Sequence, residues 1–302
     1  MRTRLLIVAV LLGTVAAPSA QSTSASDLDA FMAQVVARRD DNWKRLQQYV
    51  LDEDETFLIT EPDATRLYGS HREYTWFPRD GFFIRSPVKA DGVKISETER
   101  RKAEERWLRE EQGREKRRIE RESKDGGNDA PPSLDDLVGP GNEPRFVSTA
   151  YFMRFKFEPG HYALVGRERL LDRDVLRIEY YPAQLFDEGR TRPNRRVRER
   201  DQRVQEKMNK VAFVTLWIEP TAHQILQYEF RNTGFDFLPV RWLARLDDLR
   251  ATMRMGQPFP DVWLPDTIGM RFAMTLAIGA IDARYDVRYH DYREATVKTR
   301  VR

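Results

Sequence analysis

Hydrophobic residues recur at helical spacing near the start of the chain. Residues 26–50 carry apolar side chains every three or four positions, and Ser26 with Asp29 forms a capping-box pattern at their start. The apolar stripe consists of Leu28, Phe31, Met32, Val35, Val36, Trp43, Leu46, Tyr49 and Val50. The pattern predicts one long amphipathic helix that packs its stripe on a sheet.

Alternation of apolar and polar residues dominates the rest of the chain, which is typical of strands with one buried face. The pattern predicts about ten antiparallel strands in meander order. They fall at 56–60, 72–77, 81–86, 152–157, 161–167, 174–181, 212–218, 223–231, 247–255, 267–278 and 281–292.

A meander of long, one-faced strands must bury its apolar face. The sheet can either close into a barrel or curve around a helix. At 1.5 Å per residue, the N-terminal helix is about 35 Å long, which is enough to lie across a half-open barrel. We therefore predict an α+β fold: an antiparallel β-meander that forms an incomplete barrel around the N-terminal helix, in a single domain at 21–302.

Two charged segments interrupt the meander. Residues 96–145 begin with Ser96 and Glu99 at capping-box spacing, continue as a helix rich in Glu, Arg and Lys, and end in a stretch rich in Gly, Asp and Pro. Residues 183–210 contain six arginines between positions 190 and 200 and end in a helical pattern. Both are predicted to be solvated, partly helical insertions.

The first twenty residues have the pattern of a secretory signal peptide. Arg2 and Arg4 precede an apolar run, Leu5–Leu12, which small residues follow up to Ala20. The run is too short to anchor the chain in a bilayer, which takes about 20 residues. We predict cleavage between Ser19 and Ser22, a signal peptide at 1–20, and a periplasmic protein.

Charge and cysteine content narrow the function classes. The chain has 51 Lys and Arg against 48 Asp and Glu, a net charge of +3, and 33% of its residues are charged. Such dense, mixed charge argues for a surface of ion pairs and against binding of nucleic acid. Without cysteine there is no disulfide, so a large hydrophobic core must stabilise the fold.

Motifs for catalysis or metal binding are missing from the sequence. The histidines His71, His161, His223 and His290 are scattered, and no H-E-x-x-H, G-x-S-x-G or phosphate-binding loop is present. We therefore predict a protein that is not an enzyme and that uses no cofactor and no metal.

Three segments resemble the LolA/LolB-like carriers that sort bacterial outer-membrane lipoproteins. Residues 166–179 resemble a hairpin of that family, with Leu171 and Asp172 where its turn has glycine. Residues 215–226 resemble a family edge motif, and 262–265 with 289–293 resemble its W-x-P and Y-x-x-Y ending. The resemblance spans roughly 146–293 plus the N-terminal helix. It implies an incomplete β-barrel whose apolar concavity holds an acyl chain.

Two sets of residues are candidates for binding. The acyl chain is expected to contact aromatic and methionine side chains, namely Met153, Phe155, Phe157, Trp217, Met253, Met255, Phe272 and Met274. The same stripes also fit a filled core. A patch for anionic headgroups or an acidic partner is expected at Arg192, Arg195, Arg196 and Arg198, and these arginines also fit a solvated loop.

Two functions are consistent with the predicted fold and the candidate binding residues. The first is a periplasmic carrier that binds the acyl chains of lipids or lipoproteins and has no membrane span in its mature form. The second is a non-enzymatic structural or adaptor protein of the envelope, which has a filled barrel core and binds other envelope proteins. An empty apolar space of several hundred Å³ would separate the carrier from the adaptor.

Overall fold

The structure is a computed structural model that describes residues 27–124, 157–181, 212–233, 244–276 and 279–295. Two helices and eleven strands are found there. The helices are α1 (Asp27–Leu46) and α2 (Glu97–Lys124). The strands are β1 (Tyr49–Thr60), β2 (Arg66–Arg79), β3 (Phe82–Ala90), β4 (Val93–Lys94), β5 (Tyr162–Leu170), β6 (Arg173–Tyr180), β7 (Ala212–Glu219), β8 (Gln224–Thr233), β9 (Ala244–Phe259), β10 (Val262–Leu276) and β11 (Gly279–Glu294).

All eleven strands form one antiparallel sheet, in the order β4-β3-β2-β1-β11-β10-β9-β8-β7-β6-β5. Each strand pairs with its neighbours in the chain, except that β4 and β5 are the two edges of the sheet and β1 pairs with the last strand, β11, as well as with β2. The edge strands β4 and β5 do not pair with each other in the described part of the chain, so the sheet stays open. The predicted α+β fold with an incomplete antiparallel barrel is confirmed.

One face of this sheet is apolar across strands β5 to β11. A single row of register partners crosses seven strands on that face: Tyr162, Tyr180, Val214, Phe230, Ala251, Met270 and Tyr285. From Tyr180 to Tyr285 each of these side chains is buried. Polar residues flank Phe230, Ala251 and Tyr285 along their strands, which is the alternation typical of a half-buried sheet.

Helix α1 lies on the apolar face and completes the core there. Met32, Val35 and Leu46 are buried in it. Two polar contacts fix the helix in place: Asn42 Nδ2 donates to Gln224 Oε1 at 2.9 Å, and the backbone N–H of Gly160 donates to Asp29 Oδ1 at 2.8 Å. The amphipathic stripe predicted from the sequence is therefore the surface that packs on the sheet.

The boundary between α1 and β1 differs from the prediction. The helix ends at Leu46, whereas Tyr49 and Val50 belong to the strand, so the predicted continuation of the helix to residue 50 is wrong. Strand β1 also begins seven residues before the predicted start at residue 56. The reason is that Tyr49 and Leu51 alternate into the sheet core with period two, although Tyr49 and Val50 also follow Leu46 at the three- and four-residue spacing of a helix.

Helix α2 packs against β3 at one edge of the sheet. Its first turn has the predicted cap, in which the hydroxyl of Ser96 accepts from the backbone N–H of Glu99 at 3.3 Å. Trp107 Nε1 donates to the carbonyl of Phe83 at 3.1 Å, and Ser86 Oγ donates to Glu104 Oε1 at 2.5 Å. Residues 1–26, 125–156 and 182–211 lie outside the described residues, so the signal peptide, the loop that follows α2 and the second insertion stay predictions.

Replacing Met32 with Ala should lower the free energy of unfolding by about 2–5 kcal/mol, because it leaves a cavity between α1 and the sheet. Gln34→Ala is the matched control, since Gln34 is exposed on the same helix. Urea unfolding followed by circular dichroism measures both. Equal stabilities of the two variants would show that α1 does not pack on the sheet.

Candidate functional site

The structure brings four of the predicted lipid-binding residues onto one face of the sheet. Met253 and Met255 are buried on β9, at 0% and 2% exposure. Phe272 and Met274 lie on the same face of β10 and are half-buried. Met253 is opposite Ile268, and Phe272 is opposite Leu249. The two methionines of β9 and the pair on β10 therefore lie on one apolar surface, at different positions along the strands.

The other predicted residues are placed differently. Phe157 packs edge-on against Tyr180 at 5.0 Å, beside the same face. Trp217 is on the opposite face, where it is the register partner of Arg177 and its Nε1 donates to Glu168 Oε2 at 2.9 Å. The remaining predicted positions lie outside the described residues: Met153, Phe155, Arg192, Arg195, Arg196 and Arg198.

At the strand ends far from α1, the apolar face ends in a group of apolar side chains that we call the apolar rim. It consists of residues that point to the apolar face near the β1–β2 and β10–β11 connections: Phe57, Ile59, Tyr68, Phe272, Met274 and Ile281. Five of them are half-buried and Tyr68 is 49% exposed. Helix α1 instead reaches the opposite strand ends, where Arg38 Nη2 donates to the carbonyl of Asp261 in the β9–β10 turn at 3.2 Å. Large apolar side chains are therefore accessible at the rim.

A buried polar cluster lies next to the rim on the same face. It is formed by Glu53 and Glu55 of β1, Trp76 of β2, Arg85 of β3 and Tyr285 of β11. Glu53 is 2% exposed and Glu55 is 6% exposed. Three elements that are distant in sequence thus converge on two adjacent carboxylates.

Hydrogen bonds connect the whole cluster. The guanidinium of Arg85 donates to Glu53 Oε1 through Nε at 3.1 Å and also through Nη2, and it donates to Glu55 Oε2 at 2.5 Å. Trp76 Nε1 donates to Glu53 Oε2 at 2.5 Å, and the hydroxyl of Tyr285 donates to Glu55 Oε2 at 2.6 Å. Charge-assisted bonds of this kind are about twice as strong as neutral ones.

An aromatic ring covers the guanidinium from one side. The central carbon of Arg85 lies 3.5 Å from the centre of the Tyr74 ring. Tyr74 is the register partner of Glu53, so the same ladder positions the ring and the carboxylate around the cation. A desolvated cation over an aromatic face gains about 2 kcal/mol, which offsets part of the cost of burying it.

Burial changes the protonation of these groups. It raises the pKa of the Glu53 carboxyl above its ordinary value, although Arg85 opposes the shift. Burial alone would lower the pKa of Arg85, but the charges of Glu53 and Glu55 hold it well above its ordinary value. Burial and then the charge of Glu55 raise the pKa of Tyr285, so its hydroxyl remains a donor. The cluster is a fixed set of donors and acceptors inside an apolar surface.

The buried polar cluster was not predicted from the sequence. The run Leu51–Glu55 has four acidic residues, and alternation divides them between the two faces of β1. Glu53 and Glu55 face inward, whereas Asp52 and Asp54 face outward and pair with Arg293 and Arg288 of β11. The signal that could have found it is period-two alternation that continues the apolar positions Tyr49 and Leu51 through the acidic run.

A metal site and a membrane-spanning helix are both missing from the described residues. Those ranges contain no group of three or more His, Asp or Glu side chains that could hold a metal ion. No helix in the same ranges is both long enough and apolar enough to cross a membrane.

Comparison with known proteins gives structural similarity only. No family model and no curated protein matches the chain. The fold is similar to that of an outer membrane lipoprotein-sorting protein domain from Vibrio parahaemolyticus, with 13% identity over 89% of this chain and 93% of that one and a TM-score of 0.36. It is also similar to a DUF1329 family protein from Desulfovibrio piger, with 8% identity over 89% and 95% of the two chains and a TM-score of 0.41.

Arg85→Met should lower the free energy of unfolding at pH 7 by about 3–5 kcal/mol, because it leaves buried carboxylates without their shared cation. Arg101→Met is the matched control: Arg101 is 72% exposed on α2, and an exposed pair such as Arg101–Glu97 contributes about 0–1 kcal/mol. Urea unfolding measures both. A loss for Arg85→Met no larger than that of the control would contradict the arrangement of the cluster.

Glu53→Gln should change how stability depends on pH. Because the pKa of Glu53 is raised in the folded protein, the folded protein keeps this proton up to a higher pH than the unfolded chain does. The free energy of unfolding therefore falls as pH rises above 4.5, the ordinary pKa of this carboxyl. The stability of the wild type relative to Glu53→Gln should therefore fall over that range. Urea unfolding across mildly acidic to neutral pH measures the difference, with Glu97→Gln as an exposed control. A difference that grows with pH would refute the raised pKa.

Proposed function

We propose that this protein is a periplasmic carrier that holds the acyl chain of a lipid or lipoprotein against the apolar face of its open sheet. The observation that carries the proposal is the apolar rim. Phe57, Phe272, Met274 and Ile281 stay half-exposed although they continue a face that is fully buried beneath α1.

Hydrocarbon would gain most at this rim. Removing apolar surface from water gains about 0.8 kcal/mol for each CH₂ group, so burial of about ten methylenes matches the roughly 8 kcal/mol of a micromolar affinity before the cost of association. The flexible side chain of Met274 and the aromatic walls of Phe57 and Tyr68 can follow a chain of irregular shape. The centres of these two rings lie 6.0 Å apart. Binding and release of an acyl chain need neither covalent chemistry nor a cofactor, in accord with the motifs that the sequence lacks.

The periplasmic location is part of the proposal. It is supported by the signal-peptide pattern at residues 1–20 and by the resemblance of three segments to LolA/LolB-like carriers.

The second candidate is an envelope adaptor with a filled core, and one observation favours it. Met253 and Met255, both expected to line a cavity, are 0% and 2% exposed within the packed core. In this alternative the charged helix α2 would contact the partner protein. The adaptor needs no accessible hydrocarbon site, so a lipid-binding assay separates the two functions.

Met274→Glu should weaken binding of a fluorescent probe, dansyl-undecanoic acid, by about tenfold or more, because it places a charged carboxylate at the apolar rim. The fold should survive, since Met274 is only half-buried. Ala280→Glu is the matched control, because Ala280 is exposed on the neighbouring strand and points to the opposite face. Probe fluorescence gives the affinities, and circular dichroism verifies the fold.

Two outcomes would contradict the carrier. If the wild type does not bind the probe, the adaptor remains. If Met274→Glu and Ala280→Glu weaken binding equally, the probe does not occupy the rim.

A further inference from the structure

Met274 differs from the other methionines of the described ranges in its access to solvent. Met32, Met253, Met255 and Met270 are buried in the core, and the most exposed of these four, Met270, is only 4% exposed. Met274 lies at the apolar rim, where it is half-buried. Among the methionines that the structure describes, it is therefore the one that a small molecule dissolved in water can reach.

Position along β10 causes this difference. Met270 and Met274 are four residues apart on the same strand, so both side chains point to the apolar face. At about 3.4 Å per residue they are separated by about 13 Å along the strand. Met270 is covered by the packed core, whereas Met274 lies beyond it, near the β10–β11 connection. The two residues have the same chemistry in different surroundings.

The immediate neighbours of Met274 are hydrocarbon side chains. Its register partners are Leu246 of β9 and Ile281 of β11, and Phe272 precedes it on the same face of β10. Met274 differs from these three residues in carrying a thioether sulfur. The chain contains no cysteine, so methionine supplies all of its sulfur groups. The apolar rim thus includes one accessible atom that an oxidant can modify.

We propose that Met274 is a site of reversible oxidation, at which a peroxide makes the apolar rim polar and so releases a bound acyl chain. This inference rests on the proposed carrier function and adds a control to the same site. The oxidation state of one sulfur atom determines whether the rim holds its ligand.

The oxidation step is a transfer of one oxygen atom. A lone pair of the Met274 sulfur attacks one oxygen of hydrogen peroxide, so that an S–O bond forms while the O–O bond breaks. The departing hydroxide takes the proton of the transferred hydroxyl group and becomes water. Sulfur loses two electrons to the peroxide, and the product is methionine sulfoxide. Methionine sulfoxide reductases restore the thioether with two electrons from a dithiol, which becomes a disulfide as water is released.

The sulfoxide would weaken binding without unfolding the protein. Its oxygen accepts hydrogen bonds, and water can supply them in the free protein because Met274 is half-buried. An acyl chain at the rim would exclude that water. The side chains of Leu246, Phe272 and Ile281 have no donor to replace it, so the polar oxygen would be buried without a hydrogen bond.

The first arm of the test locates the oxidised residue. Trypsin cleaves after Arg271 and Arg284 and releases residues 272–284, which contain Met274 as their only methionine, whereas residues 255–271 contain Met255 and Met270. The native full-length protein is treated with dilute hydrogen peroxide, and mass spectrometry follows the gain of one oxygen atom in each peptide. We expect 272–284 to be oxidised about tenfold faster than 255–271, because susceptibility follows exposure.

Protein unfolded in urea is the control for this arm, since both peptides should then be oxidised at similar rates. Similar rates in the native protein would overturn the proposal, because Met274 would have no selective access to the oxidant.

The second arm measures binding of dansyl-undecanoic acid before and after oxidation. The affinity of the wild type should fall about tenfold on oxidation, because a polar group has entered the rim. Met274→Leu is compared with itself, and its affinity should be the same before and after peroxide, since leucine has no sulfur. Methionine sulfoxide reductases A and B together, with dithiothreitol, should restore the affinity of the oxidised wild type.

Each failure has a distinct meaning. A wild type that does not bind the probe before oxidation refutes the carrier function and this control with it. A wild type that binds equally well before and after oxidation of residues 272–284 keeps the carrier function but overturns the control. An equal loss in Met274→Leu would assign the effect to another residue and overturn it as well.

Two further outcomes would also overturn the proposal. A loss of affinity that the reductases do not reverse would show damage and not reversible control. A loss of the circular dichroism signal on oxidation would show that the probe is released by unfolding of the protein and not by a polar group at the rim.

Discussion

The pairing of β1 with β11 is the constraint on which the rest of the structure depends. Strands β1–β4 and β5–β11 are two separate meanders, and this single ladder makes them one sheet. Without it the apolar face would be divided, and the residues of the buried polar cluster would not meet. The ladder has its own chemical specificity: Tyr285 of β11 donates to Glu55 of β1 on the inner face, and Arg288 and Arg293 pair with Asp54 and Asp52 on the outer face.

The acidic run in β1 fixes the register of this ladder. A shift by one residue would exchange the two faces of the strand. Asp52 and Asp54 would then be buried in apolar surroundings, and Glu53 and Glu55 would lose the guanidinium of Arg85. Each misplaced charge costs several kcal/mol, so the alternatives to the native register are strongly disfavoured.

Local patterns were sufficient to predict much of this fold. Alternation located the strands of the second meander, and the stripe from Leu28 to Leu46 identified the helix that covers the sheet. Contacts across long stretches of sequence were not predictable in the same way. Arg85 and Tyr285 meet at Glu55 only because three ladders form: β1 with β11, β1 with β2, and β2 with β3. The side of the sheet that Trp217 faces was equally unpredictable, because the sequence motif gives the position of Trp217 in the chain but not its register in the sheet.

The sheet separates two kinds of surface by its thickness alone. Beneath α1 the inner face is tightly packed, and at the apolar rim it becomes accessible. The outer face carries charges that are mostly paired along and across strands. Period-two alternation thus provides both surfaces with the same backbone.

The central ladder also has a kinetic consequence. Tyr49 pairs with Glu294, a sequence separation that spans most of the chain, so β1 has to wait for the last strand to be synthesised before one of its edges is paired. Contacts of such high order make folding slow, and an unpaired strand edge invites aggregation in the meantime. A chain with this topology benefits from being kept unfolded until all of it has reached the compartment in which it works.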